Sequence, residues 1–270
     1  MKIKFNLTSI EDAQSFQKIR KEYKEFLSAD ESVDSAMICE SIANYIIGGV
    51  DYTNKVCLDL GANIGGFTKV AQDFGASKVI AVECDHRNFD KLNNSFKDTD
   101  NVECIHGAIS DSDENTVKIY KSSSRSKHCS VTTIDNKNSK FKEYDEVKAI
   151  RFNELVGKYS PDIIKIDIEG AEYQIIEDVL AYYPDVLFIE FHSGTAKPII
   201  KEKIQMFIDK YPINQIEPQY IYHNPTPHVY DCLFKKGARE KTRGRENAVV
   251  APRPLARRNG HHKGGDTIWE

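Results

Sequence analysis

The sequence predicts an α/β fold: a doubly wound, mostly parallel sheet closed by an antiparallel strand, with a helical cap in front of it. Three observations carry this expectation. From Lys55 onward, short apolar runs alternate with amphipathic segments, the pattern of a parallel sheet covered by helices. The first run, Val56 to Leu60, ends in a glycine-rich turn that leads straight into a helical pattern. The second run, Lys78 to Glu83, closes on an acid.

The elements follow in order. Ser9-Ile10-Glu11-Asp12 opens a helix with acids in its first turn, and Phe16, Ile19, Tyr23 and Phe26 or Leu27 repeat at helical spacing. A second helix over Ser35 to Ile47 stops at Gly48-Gly49. After the first strand, Phe67 to Phe74 reads as a helix, His86 to Phe96 as another, and Val102 to His106 as the third strand. Asp111 to Asp145 is polar and serine-rich, with β-prone stretches at Thr116–Tyr120 and Cys129–Ile134; it reads as a hairpin-like insertion or edge structure. Asp162 to Asp167 is the fourth strand, Ala171 to Ala181 its helix, and Asp185 to His192 the fifth strand. Lys197 to Lys210 is helical, and Gln219–Tyr222 with Val229–Phe234 suggests the closing antiparallel pair. The domain reading is therefore a cap over 1–50, a main domain over 51–236 and a tail over 237–270.

The tail is different material. It holds 6 Arg and 2 Lys, against 4 Arg and 25 Lys before it, and it has no Phe or Tyr. Rich in Gly, Pro and Ala, it buries little and reads as disordered. The abrupt change in arginine usage fits a foreign extension better than a nucleic-acid-binding arm. Residues 1–236 carry 29 basic and 37 acidic side chains, a balance of −8 that argues against a broad nucleic-acid footprint. No stretch approaches the ~20 apolar residues of a membrane span, and no secretory signal follows the basic start, so a cytoplasmic location is expected. The six cysteines include no CxxC pair, which disfavours a zinc ribbon or a thioredoxin-type motif and leaves them as small core residues.

A glycine turn between strand and helix lets a ligand approach the backbone, because glycine tolerates positive φ and has no Cβ to clash. Gly61 and Gly65 hold those places, and Gly66 adds room. Glu83, ending the next strand, stands where a doubly wound domain binds a ribose diol. Three ligand classes compete. A nucleoside triphosphate site would need Lys after the second glycine, and Phe67 stands there. A dinucleotide site would need glycine in place of Asn63. S-adenosylmethionine carries no phosphate, and Asp59 at the strand end would repel a pyrophosphate but attract a cationic amino group. The pattern favours S-adenosylmethionine, with Asp59, Gly61, Asn63, Gly65 and Glu83 in its site.

A second unusual stretch, Ile163-Ile164-Lys165-Ile166-Asp167-Ile168-Glu169-Gly170-Ala171-Glu172, ends an apolar strand in one base and three acids around a glycine. Ligands bind at the carboxyl ends of parallel strands, and acids loaded there cost stability unless they bind or react. With Asp59–Thr68 (DLGANIGGFT), Val79–Asp85 (VIAVECD), Phe188–His192 and the Val147–Leu155 lead-in, Ile164–Glu172 (IKIDIEGAE) resembles the FkbM family of methyltransferases. The resemblance covers roughly Val56 to Phe234. It implies a Rossmann-like class I methyltransferase fold, S-adenosylmethionine as donor and a hydroxyl acceptor on a sugar, glycan or small metabolite. Ala108 and Asp167 complete the cofactor set expected here. One departure is Cys84, where a proline is more usual.

A hydroxyl acceptor needs a base or a metal to take its proton. His192 at the end of the fifth strand is the first candidate, Glu169 the second and Asp167 the third, the last placed at the cofactor's methionine end. A histidine of ordinary pKa, near 6.5, suits a base at neutral pH. Each also has a structural role open to it: Asp167 and Glu169 as caps of the helix near Ala171, His192 as a satisfied core histidine. Glu172 reads as a first-turn helix acid and Lys165 as the partner of an acid beneath the site. Asp167, Glu169, Glu190 and His192 together could hold a divalent cation, but no metal is required by the pattern. Two other classes stay open: a nucleic-acid methyltransferase using the basic tail, and a protein that binds S-adenosylmethionine without catalysis. No pattern in the sequence names an oligomeric state.

Overall fold

The strands form where the apolar runs stand. In a computed structural model that describes residues 45, 49–121, 131–132, 144–192, 200–219 and 229–237, the chain builds β1 (Val56–Leu60), α1 (Gly66–Asp73), β2 (Lys78–Glu83), α2 (His86–Phe96) and β3 (Val102–His106). Four further strands follow: β4 (Ala108–Ile109), β5 (Thr116–Lys121), β6 (Val131–Thr132) and β7 (Tyr144–Ile150). The chain then continues through α3 (Phe152–Tyr159), β8 (Ile163–Ile166), α4 (Glu172–Tyr182), β9 (Val186–His192), α5 (Ile200–Lys210), β10 (Ile213–Gln219) and β11 (Val229–Lys235).

Seven strands make the main sheet, in the order β10-β11-β9-β8-β1-β2-β3. The β1–β2, β2–β3, β1–β8 and β8–β9 pairs are parallel, while β11 runs antiparallel to both β9 and β10. After β1 the chain adds strands on one side, then crosses over to add β8 and β9 on the other. The crevice above the carboxyl ends of β1 and β8 is therefore the topological switch point, where open α/β sheets bind ligands. The expected doubly wound sheet with an antiparallel closing strand is the observed one.

Alternation along the strands assigns the two faces. Leu58, Leu60, Ile164 and Ile166 pack with Leu155, Ile175, Ile176 and Val179 of α3 and α4. Cys57, Val79 and Ile163 pack with Phe67 and Val70 of α1 and with Tyr52. Tyr45 meets Phe67 and Phe188 edge-on at 5.1 and 5.2 Å. Each fully buried aliphatic or aromatic side chain contributes about 1.5–3 kcal/mol. The same alternation puts Asp59 and Lys165 on the α1 side of the sheet, where β1 and β8 pair them directly.

Three differences from the sequence reading have physical reasons. The closing pair starts at Ile213 rather than Gln219, because β10 is an edge strand held by backbone bonds to β11. Its apolar signal is weak there, and Ile213 is exposed. The polar insertion expected over Asp111–Asp145 does form an antiparallel pair, but β5 pairs with β7, which runs past its end to Ile150. The α3 helix has no counterpart among the elements expected from sequence; its eight residues bury only Phe152, Leu155 and Val156, too short a stripe to stand out. Apart from Tyr45, Gly49 and Val50 of the expected cap and Gly237 of the expected tail, both segments lie outside the described residues. No helix among the described residues is long and apolar enough to cross a membrane.

Candidate active site

The turn after β1 is built around backbone contact. Gly61 has φ +76°, and a Cβ there would stand 1.7 Å from the carbonyl oxygen of Asp167. Only glycine lets β1 and the end of β8 approach this closely. The amides of Gly61 and Ala62 both donate to the carbonyl of Val82, at 3.0 and 2.9 Å, which ties the turn to the end of β2. Gly65, at φ +99°, caps α1, and a Cβ there would lie 2.5 Å from the Phe96 ring. Asn63 between them is also left-handed, at φ +53°, a conformation asparagine tolerates better than most residues.

Glu83 is buried at the end of β2. Its Oε2 accepts from the Asn63 amide and its Oε1 from the Asp85 amide, both at 2.7 Å. Burial lifts its pKa to about 7, against the pull of those two hydrogen bonds. A carboxylate has about four acceptor positions, so two remain for a diol. A cleft of about 580 Å3, open to solvent, lies here, lined among others by Gly61, Asn63, Glu83, Ala108, Asp167 and Glu169.

Beneath the cleft lies an ionic layer. Lys165 donates to the Gly61 carbonyl at 2.6 Å and stands 3.4 Å from Asp59 Oδ1 and 3.6 Å from Asp167 Oδ2. Burial works against the ammonium, but Asp167 and Asp59 outweigh it and hold the lysine above its ordinary pKa. Asp59 is completely buried and also accepts from the Thr68 hydroxyl at 2.7 Å. It therefore does not line the cleft. It anchors Lys165, which in turn braces the Gly61 carbonyl and Asp167.

On the other side of Asp167, the loop to α4 turns through two left-handed residues, Glu169 at φ +54° and Gly170 at φ +101°. A non-glycine residue in this region is uncommon and marks a constrained loop. It points Glu169 toward His192 at the end of β9. Nε2 of His192 lies 3.3 Å from Glu169 Oε2 and 3.4 Å from Glu190 Oε1, while Nδ1 lies 3.0 Å from Glu172 Oε1. Burial opposes the imidazolium, but the hydrogen bond to Glu172 and the charges of Glu172, Glu169 and Glu190 raise its pKa well above the usual 6.5. Burial pushes Glu169 up to about 7, with His192 pulling the other way. Burial, then Asp167 and Asp231, push Glu190 well above the ordinary carboxylate range. The ordinary histidine pKa expected from sequence does not hold, because three carboxylates converge on one ring.

Asp167, Glu190 and His192 each offer one atom, all within 4.8 Å of one another. That span suits a bridging divalent cation. Carboxylates at this spacing are also common without an ion.

Of the expected cofactor residues, Gly61, Asn63, Glu83, Ala108 and Asp167 come together around the cleft, whereas Asp59 and Gly65 act from beneath it. The expected reacting residues Asp167, Glu169 and His192 stand side by side. The bond between Glu172 and His192 has little signature in the sequence, where its only signal is an acid at the first position of a helix. His223 and His228 lie outside the described residues.

The strand order with its crevice over β1 and β8 defines a Rossmann-like methyltransferase fold. The Methyltransferase FkbM domain family matches residues 59–209, and the chain belongs to it: it is an S-adenosylmethionine-dependent methyltransferase. No curated protein matches the chain. Similar solved structures include an FkbM methyltransferase from Methylobacillus flagellatus, 15% identical, covering 83% of this chain and 59% of that one with a TM-score of 0.43. An rRNA methylase from Streptococcus thermophilus is 13% identical over 74% of this chain and 96% of that one, with a TM-score of 0.44. Fibrillarin from Aeropyrum pernix, with natively bound S-adenosyl-L-methionine, is 13% identical over 72% and 74%, with a TM-score of 0.41.

Proposed function

We propose that the enzyme methylates a hydroxyl on a sugar, glycan or small metabolite, with His192 as the base and Glu169 beside it. The observation that carries this reading is the meeting of His192 Nε2 with Glu169 at 3.3 Å, next to the cleft that Glu169 also lines. The glycine cradle at Gly61 and the buried Glu83 carboxylate fit a ribose-bearing cofactor without phosphates. In this reading Gly61, Asn63, Glu83 and Ala108 hold the nucleoside part of S-adenosylmethionine, and Asp167 the methionine part. When bound, the cofactor supplies a methyl group already activated on a sulfonium, so the protein mainly aligns and deprotonates the acceptor.

A hydroxyl is a poor nucleophile until its proton has somewhere to go. Nε2 of His192, flanked by the Glu169 and Glu190 carboxylates, is a place for it. The carboxylates keep the resulting imidazolium stable. Lys165, braced on Asp59, holds Asp167 and the Gly61 carbonyl in position without contact with the acceptor. The excess of acids over bases in residues 1–236, 37 against 29, supports an uncharged hydroxyl over a nucleic-acid acceptor.

The test is a transfer assay. Labelled S-adenosylmethionine is incubated with the protein and either total RNA or a metabolite and glycan extract. Label is expected in the carbohydrate and small-molecule fraction, in a bond stable to mild base as an ether is. Label in the RNA alone would overturn the reading in favour of a nucleic-acid methyltransferase.

A further inference from the structure

Glu172 opens α4, where an acid ordinarily serves the helix dipole from the solvent side. This one is completely buried. Carboxylates are almost never buried unless paired. Its Oε1 accepts two hydrogen bonds, from the Ile168 amide at 3.1 Å and from Nδ1 of His192 at 3.0 Å. An ionised carboxylate is acceptor only, so Nδ1 must be the donor. The other ring nitrogen then faces Glu169 Oε2 at 3.3 Å and Glu190 Oε1 at 3.4 Å.

The remaining polar groups near the ring do not compete for Nδ1. The Tyr173 hydroxyl, from α4, donates to the His192 backbone carbonyl at 2.9 Å. Asp231 on β11 is paired in register with Glu190. Asp167, at the end of β8, has a carboxylate oxygen within 4.8 Å of a His192 ring nitrogen. One side of the imidazole is thus fixed by a buried acceptor, and the other faces Glu169, which lines the cleft.

We propose that Glu172 is a positioning residue: its carboxylate holds His192 in the tautomer protonated on Nδ1 and turns Nε2 toward the reacting hydroxyl. This rests on the reading of His192 as the base. The bond to the Ile168 amide gives the carboxylate a second task. It ties the loop carrying Asp167 and Glu169 to the same anchor, so the cofactor side and the base keep one geometry. Burial of a carboxylate at a helix start has no structural need of a charge, since an amide oxygen would satisfy the Ile168 amide equally. The charge is accounted for by the imidazole.

That difference supplies the test. Glu172→Gln keeps an acceptor for the Ile168 amide and removes the charge. The full-length chain is labelled with ring-¹⁵N histidine, and His192 is assigned by comparison with His192→Asn. In the wild type, Nδ1 is expected to stay protonated throughout a pH titration while Nε2 alone gains and loses its proton. In Glu172→Gln the uncharged amide oxygen accepts from Nδ1 more weakly than the carboxylate, so the preference for Nδ1–H is expected to weaken and Nε2 to release its proton at lower pH than in the wild type. S-adenosylmethionine affinity should be unchanged in the variant, and its turnover on an acceptor from the extract screen should fall roughly 10²–10⁴-fold with KM unchanged. A wild-type neutral ring protonated on Nε2, or the same ¹⁵N pattern in Glu172→Gln, overturns the proposal. The turnover of His192→Asn is a separate readout: full activity there would remove the base assignment, while the ¹⁵N pattern would still decide the tautomer.

Discussion

Gly61→Val is expected to abolish S-adenosylmethionine binding. Two independent effects act together. The backbone at φ +76° disfavours any side chain, and most strongly a β-branched one, by about 1–3 kcal/mol. The Cβ would also stand 1.7 Å from the Asp167 carbonyl oxygen, where no rotamer relieves the clash because it precedes χ1. The turn and the end of β8 must therefore separate. Separation breaks the Lys165 bond to the Gly61 carbonyl and displaces Asp167, both on the floor of the cleft. Calorimetry should detect no binding in a variant whose circular dichroism still reports the α/β fold. Wild-type affinity in such a variant would show that the cofactor does not use this turn.

Turnover in His192→Asn should fall by about 10²–10⁴ while cofactor affinity stays close to wild type, because His192 is not among the residues that line the cleft. The pH dependence carries the sign. A base works only when deprotonated, so activity rises as pH climbs through its pKa. With the ordinary value the rise would fall near pH 6–7. The Glu172 hydrogen bond and the surrounding carboxylates move it to higher pH. Glu169, lifted by burial to about 7, would give a limb near neutrality if it were the base instead. Asparagine at 192 should remove the alkaline limb and leave a slow rate. Full turnover across pH 6–9 would reassign the base, with Glu169→Gln as the deciding variant.

Much of the fold was legible because its strands are buried on both faces. Val56–Leu60 and Ile163–Ile166 read as continuous apolar runs, and such runs between glycine turns leave few alternatives. β10 and α3 were not legible for the opposite reason: an exposed edge strand and a helix burying three residues carry little periodic signal. The cofactor turn was legible because glycine has no substitute where two backbones touch. Asp59 illustrates the limit. Its type and place at a strand end suggested a ligand contact, but strand alternation sends its side chain beneath the cleft to Thr68 and Lys165. Glu172 was missed for a related reason. Its partner is 20 residues away on another strand, and nothing local distinguishes a buried first-turn acid from an exposed one.

The cleft as the S-adenosylmethionine site is tested most directly by calorimetric titration of the cofactor into wild type and Glu83→Ala, between pH 6 and pH 8. Glu83 must be ionised to accept from a ribose diol with full strength, and burial sets its pKa at about 7. Wild-type affinity is therefore expected to strengthen as pH rises through 7 and then level off. Glu83→Ala should bind more weakly at pH 8, by about 1.5–3 kcal/mol for each hydrogen bond to the charged acceptor, and without that pH dependence. Equal affinity in the two proteins at pH 8, with the fold of the variant intact, would contradict the placement of the cofactor in this cleft.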